Sequence, residues 1–347
     1  MKPRSKDSAN LDLLRTVAVS CVFAAHFRHF VNGKLGLFEW HLGQLGVLMF
    51  FVHTSLVLMM SLDRMRMENG RLFGSFYVRR FFRIYPLSIA CLLVMYFAHF
   101  RPEVGRLTHY ASLKELAANL TLTQNLFYID DMLGVLWSLP LEVQMYIFLP
   151  FLFLLARASK PRVLFAVWVA SVLLGIVQFH TTGRLNVIGY APCFIPGIIA
   201  WKLIPGRQRR APGLLWPVAL AAVAAIWFTA SMELNMYFRW IFCLILGITI
   251  PYFAEIPVTW VAASCKAIAK YSYGIYLTHQ FTMAISFVIL RNPLAQWCTF
   301  IALGVLLPLL AYHLIEHPGI ELGRRIAARI ERTDHPAPLI RVSATAG

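Results

Sequence analysis

The sequence predicts an all-α fold, a polytopic membrane helix bundle of about ten transmembrane helices with both termini in the cytoplasm. Three observations predict it. The 347 residues are 59% hydrophobic and only 14% charged, with a mean hydropathy of +0.64. That apolar excess is too large for one soluble core. The apolar residues gather into ten stretches of about 17–22 residues, near the length that crosses a bilayer. The basic residues are distributed asymmetrically between the connections.

In order, the stretches cover 11–31, 42–61, 83–100, 138–156, 163–179, 187–204, 213–230, 237–254, 272–290 and 295–315. With the N-terminus inside, 23 of the 32 Lys and Arg residues fall on inner segments, eight on outer ones, and Arg15 lies within the first span. The positive-inside rule then puts both termini in the cytoplasm, as an even number of spans requires. The net charge of +16 is thereby explained by topology and contact with anionic lipids, with no nucleic-acid footprint. The first apolar stretch is too long for a cleavable signal peptide and is followed by no small-residue cleavage site.

The six cysteines lie in or beside spans without CxxC spacing, which suggests neither a disulfide framework nor a zinc site. No metal-binding, Walker-type or Rossmann-type motif is present, and no internal repeat is visible. The chain divides into an integral domain over 1–318 and a cytoplasmic tail over 319–347. The tail begins as a basic helix, Gly319 to Arg332, and ends in a stretch expected to be disordered, His335 to Gly347. The longer outer connection, Arg101 to Val135, holds an amphipathic helix over Leu113 to Leu120 and an Asp130-Asp131 pair.

Ionisable groups inside spans are costly, and they mark functional sites by default. Arg15 and His26 are eleven positions apart, so they share nearly one helix face at a separation of roughly 16 Å along the axis. His26 falls near the outer surface, where an imidazole can act as general base toward a hydroxyl. The fourth span opens with WSLPLEVQMYIFLP and runs outside to inside, which puts Glu142 at the depth of His26, in a position to orient it. At the inner surface FYVRRFFRIYP places Arg80 and Arg83 as neighbours on one face, with Arg15 at similar depth, a pattern suited to a phosphate-bearing ligand. Arg79 reads as a positive-inside anchor. Trp137 is either an interfacial anchor or part of the site, with Ser138 and Tyr146 in the same segment. YSYGIYLTH contributes Tyr276 and His279, and YHLIEHPGIELGRR contributes Glu316, a partner for an inner arginine. His53, His99, His109 and His180 have no comparable context.

Taken in order, LDLLRTVAVSCVFAAHF, GQLGVLMFFVHTSLVL, FYVRRFFRIYP, LWSLPLEVQMYIFLPFL, YSYGIYLTH and YHLIEHPGIE resemble the acyltransferase-3 family of integral membrane acyltransferases over almost the whole chain. The resemblance implies a ten-span core and an enzyme that moves an acyl group, often acetyl, from cytoplasmic acyl-CoA to a glycan or lipid-linked saccharide. It implies acyl-CoA as a co-substrate and no permanently bound cofactor. The family's catalytic histidine matches His26, its preceding arginine matches Arg15, and its Arg-x-x-Arg pair matches Arg80 and Arg83, which would engage the donor. Its glutamate matches Glu142. Trp137, Ser138, Tyr146, Tyr276 and His279 are carried as substrate-binding candidates. The chain departs from the family pattern at Leu48, Thr54-Ser55, Val143 and Met145, which bears on acceptor choice. The resemblance covers the membrane part and not the soluble hydrolase-like domain that some members append. The implied location is the inner or plasma membrane. The rival readings are a transporter of a lipid-linked or anionic small molecule and a structural partner in polysaccharide assembly.

Overall fold

The computed structural model describes residues 8–32, 36–65, 69–98, 111–181, 186–206, 209–229 and 235–332. The expected disordered tail from His335, the 101–110 part of the outer connection, His99 and His109 lie outside the described residues. Thirteen helices are described: α1 (Ala9–Asn32), α2 (Leu37–Arg64), α3 (Asn69–Ala98), α4 (Leu113–Leu120), α5 (Gln124–Phe127), α6 (Ser138–Ala158), α7 (Pro161–Thr181), α8 (Asn186–Leu203), α9 (Trp216–Trp227), α10 (Asn235–Thr249), α11 (Thr259–Ala284), α12 (Pro293–Leu310) and α13 (His317–Arg332). Among the described residues there is no strand, only an isolated bridge between Ala211 and Phe253. Each expected apolar stretch overlaps a helix among the described residues.

Among the described residues, six segments are long and apolar enough to cross a membrane. They run through α2, α3, α6, α7, α8 and, without a break, α12 into α13. The chain is therefore a multi-pass membrane protein. Helices α1 and α11 have the length, at 24 and 26 residues, but α1 carries Arg15 and Arg28 and α11 carries Lys266 and Lys270. Helices α9 and α10, with 12 and 15 residues, rise only about 18 and 22 Å.

Helix α2 is the axis of the bundle, buried along most of its length and packed on α1, α6, α8 and α10. Helix α1 meets it through a stripe of Leu11, Leu14, Ala18, Val22 and Ala25, which recurs at helical spacing. Small residues set these distances, as is usual between membrane helices. Gly46 of α2 lies against the Ala18 carbonyl and Val22, and Gly197 of α8 lies against Ser55 and the Val52 carbonyl of α2. Exposed Leu173, Leu174, Val177 and Phe179 of α7, with Ile301, Val305 and Leu306 of α12, form an apolar outer surface suited to lipid.

The basic helix expected from Gly319 is present as α13, but it is docked. Gly319 and Gly323 fit against Phe82 of α3, and Glu331 accepts hydrogen bonds from Ser75 (2.5 Å) and Arg79 (2.8 Å). A π-helical turn, Ala311–Glu316, precedes Pro318 and joins α12 to α13. Its wider turn accommodates a proline that cannot donate to the preceding turn.

Gly197→Ala should destabilise the bundle by about 1–3 kcal/mol, because its Cβ has no room against α2. Gly304→Ala, with nothing within 4 Å of the new methyl, should leave the melting temperature unchanged or slightly raised. Thermal unfolding in detergent checks the contrast.

Candidate active site

Five helices converge on one internal cavity of about 110 Å³. Arg15 comes from α1, His53 and Thr54 from α2, Arg80 and Arg83 from α3, Ser138, Glu142 and Tyr146 from α6, and Ser272, Tyr273 and Tyr276 from α11. The polar groups hold one another in place. Arg15 Nε donates to Ser272 Oγ at 2.6 Å. Glu142 accepts from Tyr146 and from Thr54, with Arg15 and Arg80 as its cationic neighbours. Arg83 pairs with the buried Glu316 at the end of the π-helical turn and lies 5.7 Å from the Tyr273 ring centre. Tyr276 donates to the Val135 carbonyl at 2.7 Å, so the 2.7 Å contact with Ser138 is a bond that Ser138 donates.

Among the described residues, three guanidinium groups therefore face two carboxylates, an excess of one positive charge. Arg80 carries the surplus most plainly: its Nε is buried with no hydrogen-bond partner among the described residues. A buried donor of this kind is expensive unless a ligand or water completes it. An excess of positive charge suits an anion, and paired guanidinium groups suit phosphate geometry.

Next to the cavity lies a pair of imidazoles. His26 of α1 and His279 of α11 have ring centres 5.0 Å apart. The His279 ring is 6.3 Å from that of Tyr276, a turn earlier on α11, and Tyr276 lines the cavity. The histidines thus adjoin the arginine-lined space through a single residue. Among the described residues, no cluster of three or more His, Cys, Asp or Glu could hold a metal ion.

The structure brings Arg15, Arg80, Arg83, Glu142, Ser138, Tyr146 and Tyr276 together around one space, and His26 and His279 beside it. Trp137 stands apart, against Tyr190 at 5.6 Å, and does not line the cavity. One expected pairing does not form: no hydrogen bond joins Glu142 to His26. Glu142 lies in the second turn of α6, where the hydroxyls of Tyr146 and Thr54 hold it toward the arginines. His53, Thr54 and Ser272 also line the cavity: the sequence marks Thr54 only as a departure from the family pattern and Ser272 only as a polar group in YSYGIYLTH, and it leaves His53 unassigned. The criterion that selects Arg15, an ionisable group within an apolar span, also selects His53.

Comparisons with known proteins point to one family. A family model described as an acyltransferase domain matches residues 8–313. A protein named "Putative O-acetyltransferase" from Staphylococcus aureus (strain COL) is 25% identical over 361 aligned positions, covering 89% of this chain and 56% of that protein. Its counterpart from strain MSSA476 gives the same figures. A peptidoglycan O-acetyltransferase from Listeria monocytogenes serovar 1/2a is 27% identical over 228 positions, covering 62% of this chain and 33% of that protein. The chain thus spans about half the length of the staphylococcal relatives. No solved structure matches it.

Arg83→Met should lower stability by about 3–5 kcal/mol, because it leaves the Glu316 carboxylate, with its side chain 0% exposed, without its countercharge. The double variant Arg83→Met with Glu316→Leu should recover most of that loss. Unfolding midpoints of the three proteins in one detergent check the cycle.

Proposed function

The chain belongs to the acyltransferase-3 family, whose match spans residues 8–313, and on that premise we propose that it is a membrane-embedded O-acyltransferase. It moves an acyl group, acetyl in the simplest case, from cytoplasmic acyl-CoA to a hydroxyl of an extracytoplasmic or lipid-linked saccharide. The observation that carries the reading is the arginine-lined cavity adjoining, through Tyr276, a pair of imidazoles. A donor with phosphates at one end and a thioester at the other matches those two chemistries. The name of the Listeria relative, a peptidoglycan O-acetyltransferase, supports a saccharide as acceptor.

In this reading the chain crosses the inner or plasma membrane ten times, and both termini are cytoplasmic, as the charge asymmetry favours. Arg80 and Arg83, helped by Arg15, hold the donor phosphates. Glu142 and Glu316 orient the three guanidinium groups and neutralise two of their charges before the donor arrives. His26 accepts the proton of the acceptor hydroxyl as its oxygen attacks the thioester carbonyl. The C–S bond breaks, the CoA sulfur takes a proton from the imidazolium, and the products are an ester and free CoA. Ser138, Tyr146, Tyr276 and His279 bound the path between donor and acceptor, and Trp137 stands behind them against Tyr190.

His26→Ala should reduce transfer by about 10²–10⁴-fold without weakening donor binding. Arg80→Ala should instead weaken acetyl-CoA binding by about tenfold or more. Thiol release from acetyl-CoA with a crude envelope-glycan fraction reads the first effect, and equilibrium acetyl-CoA binding in nanodiscs reads the second. Normal transfer by His26→Ala would sink the assignment, and a wild-type protein that transports without releasing thiol would favour the transporter reading.

A further inference from the structure

Beside His26 lies a buried nitrogen that the mechanism above leaves unused. His279 is 2% exposed, and its Nδ1 lies 3.0 Å from the Ile275 carbonyl one turn earlier on α11. A carbonyl only accepts, so Nδ1 carries the proton and Nε2 of the neutral ring is a bare acceptor. That Nε2 is buried and has no hydrogen-bond partner among the described residues. The ring is also held laterally by Phe23 at 5.9 Å and Tyr276 at 6.3 Å, and Tyr276 is fixed through Val135 and Ser138. A fixed, buried acceptor without a donor is a costly arrangement.

The imidazole available to supply that donor is His26. No hydrogen bond joins the two rings as they stand; with centres 5.0 Å apart and planes tilted by 48°, turning the His26 ring aims one of its nitrogens at that Nε2. We propose that His279 is the positioning residue for His26: its Nε2 accepts the N–H of one His26 nitrogen and so presents the other as the bare, basic nitrogen toward the acceptor hydroxyl.

The proposal rests on the acyltransferase reading and deepens it. Bringing Glu142 to the arginines leaves His26 without the carboxylate expected to orient it, and the described residues supply a histidine in that place. The protons balance. The hydroxyl proton moves to the outer nitrogen of His26, and the His26 N–H to His279 stays in place and tightens as His26 becomes cationic. The outer proton then passes to the departing CoA sulfur. His279 gains and loses nothing, and its proton on Nδ1 remains with Ile275.

The test uses the full-length protein in nanodiscs, with acetyl-CoA and a crude envelope-glycan fraction as probes and thiol release as the signal. His279→Leu removes the acceptor at similar bulk. It should lower kcat about a hundredfold while KM for acetyl-CoA stays within about twofold. His279→Gln puts an amide oxygen near the Nε2 position and should restore kcat to within about tenfold of wild type. Unfolding midpoints are measured alongside, and if the Leu variant does not fold, the Gln variant decides. A Leu variant with wild-type kcat overturns the proposal. So does a folded Gln variant that loses a hundredfold or more, or a change confined to KM, which would make His279 only a wall of the substrate path. A His26→Ala variant as active as wild type overturns the underlying acyltransferase reading instead, and the role of His279 with it.

Discussion

Three arginines held inside an apolar helix bundle constrain everything around them. Taking even one charge out of water costs several kcal/mol after relaxation, so Arg15, Arg80 and Arg83 persist only where carboxylates, hydroxyls and a ring face receive them. Glu142 from α6, Glu316 from the π-helical turn after α12, Ser272 and Tyr273 from α11 supply those partners. These partners come from three separate parts of the chain. Meeting the electrostatic demand therefore fixes how α1, α3, α6, α11 and the α12–α13 segment sit relative to one another.

The same demand explains irregular features of the fold. The π-helical turn Ala311–Glu316 rotates Glu316 inward against Arg83, and it allows the helix to continue through Pro318 into α13. Helix α13 then packs on α3 at Phe82, next to Arg83, with Gly319 and Gly323 permitting close approach. Partners for the arginines thus come with backbone geometry that a uniform helix would not supply. In the proposed reading, the excess positive charge at Arg80, whose buried Nε has no partner among the described residues, is what the donor phosphates complete.

Much of this was legible in the sequence, and for physical reasons. Hydrophobic length located the helices, because bilayer thickness sets it. The arginines stood out because charge is rare in such segments. What the sequence could not resolve was how the helices are set against one another. Residue count put Glu142 at the depth of His26, roughly 16 Å along α1 from Arg15, but the packing of α6 sets it beside Arg15 and Arg80, held by Tyr146 and Thr54. The meeting of His26 with His279, from helices about 250 residues apart, likewise depends on how α1 packs on α11. The continuity of α12 and α13 was hidden by Pro318, which reads as a helix boundary until the π-helical turn before it is seen. His53 was within reach of the same charge criterion and was passed over for want of a second residue beside it.

The central claim is that donor phosphates and acyl chemistry occupy the two ends of one continuous site. A cryo-electron microscopy structure in nanodiscs with a non-reactive thioether analogue of acetyl-CoA measures this most directly. The account predicts phosphate density against Arg80 and Arg83, the pantetheine arm passing Tyr276, and the acetyl carbonyl beside His26. Density for the analogue outside the arginine-lined cavity, or with its phosphates beside the histidines, would contradict it.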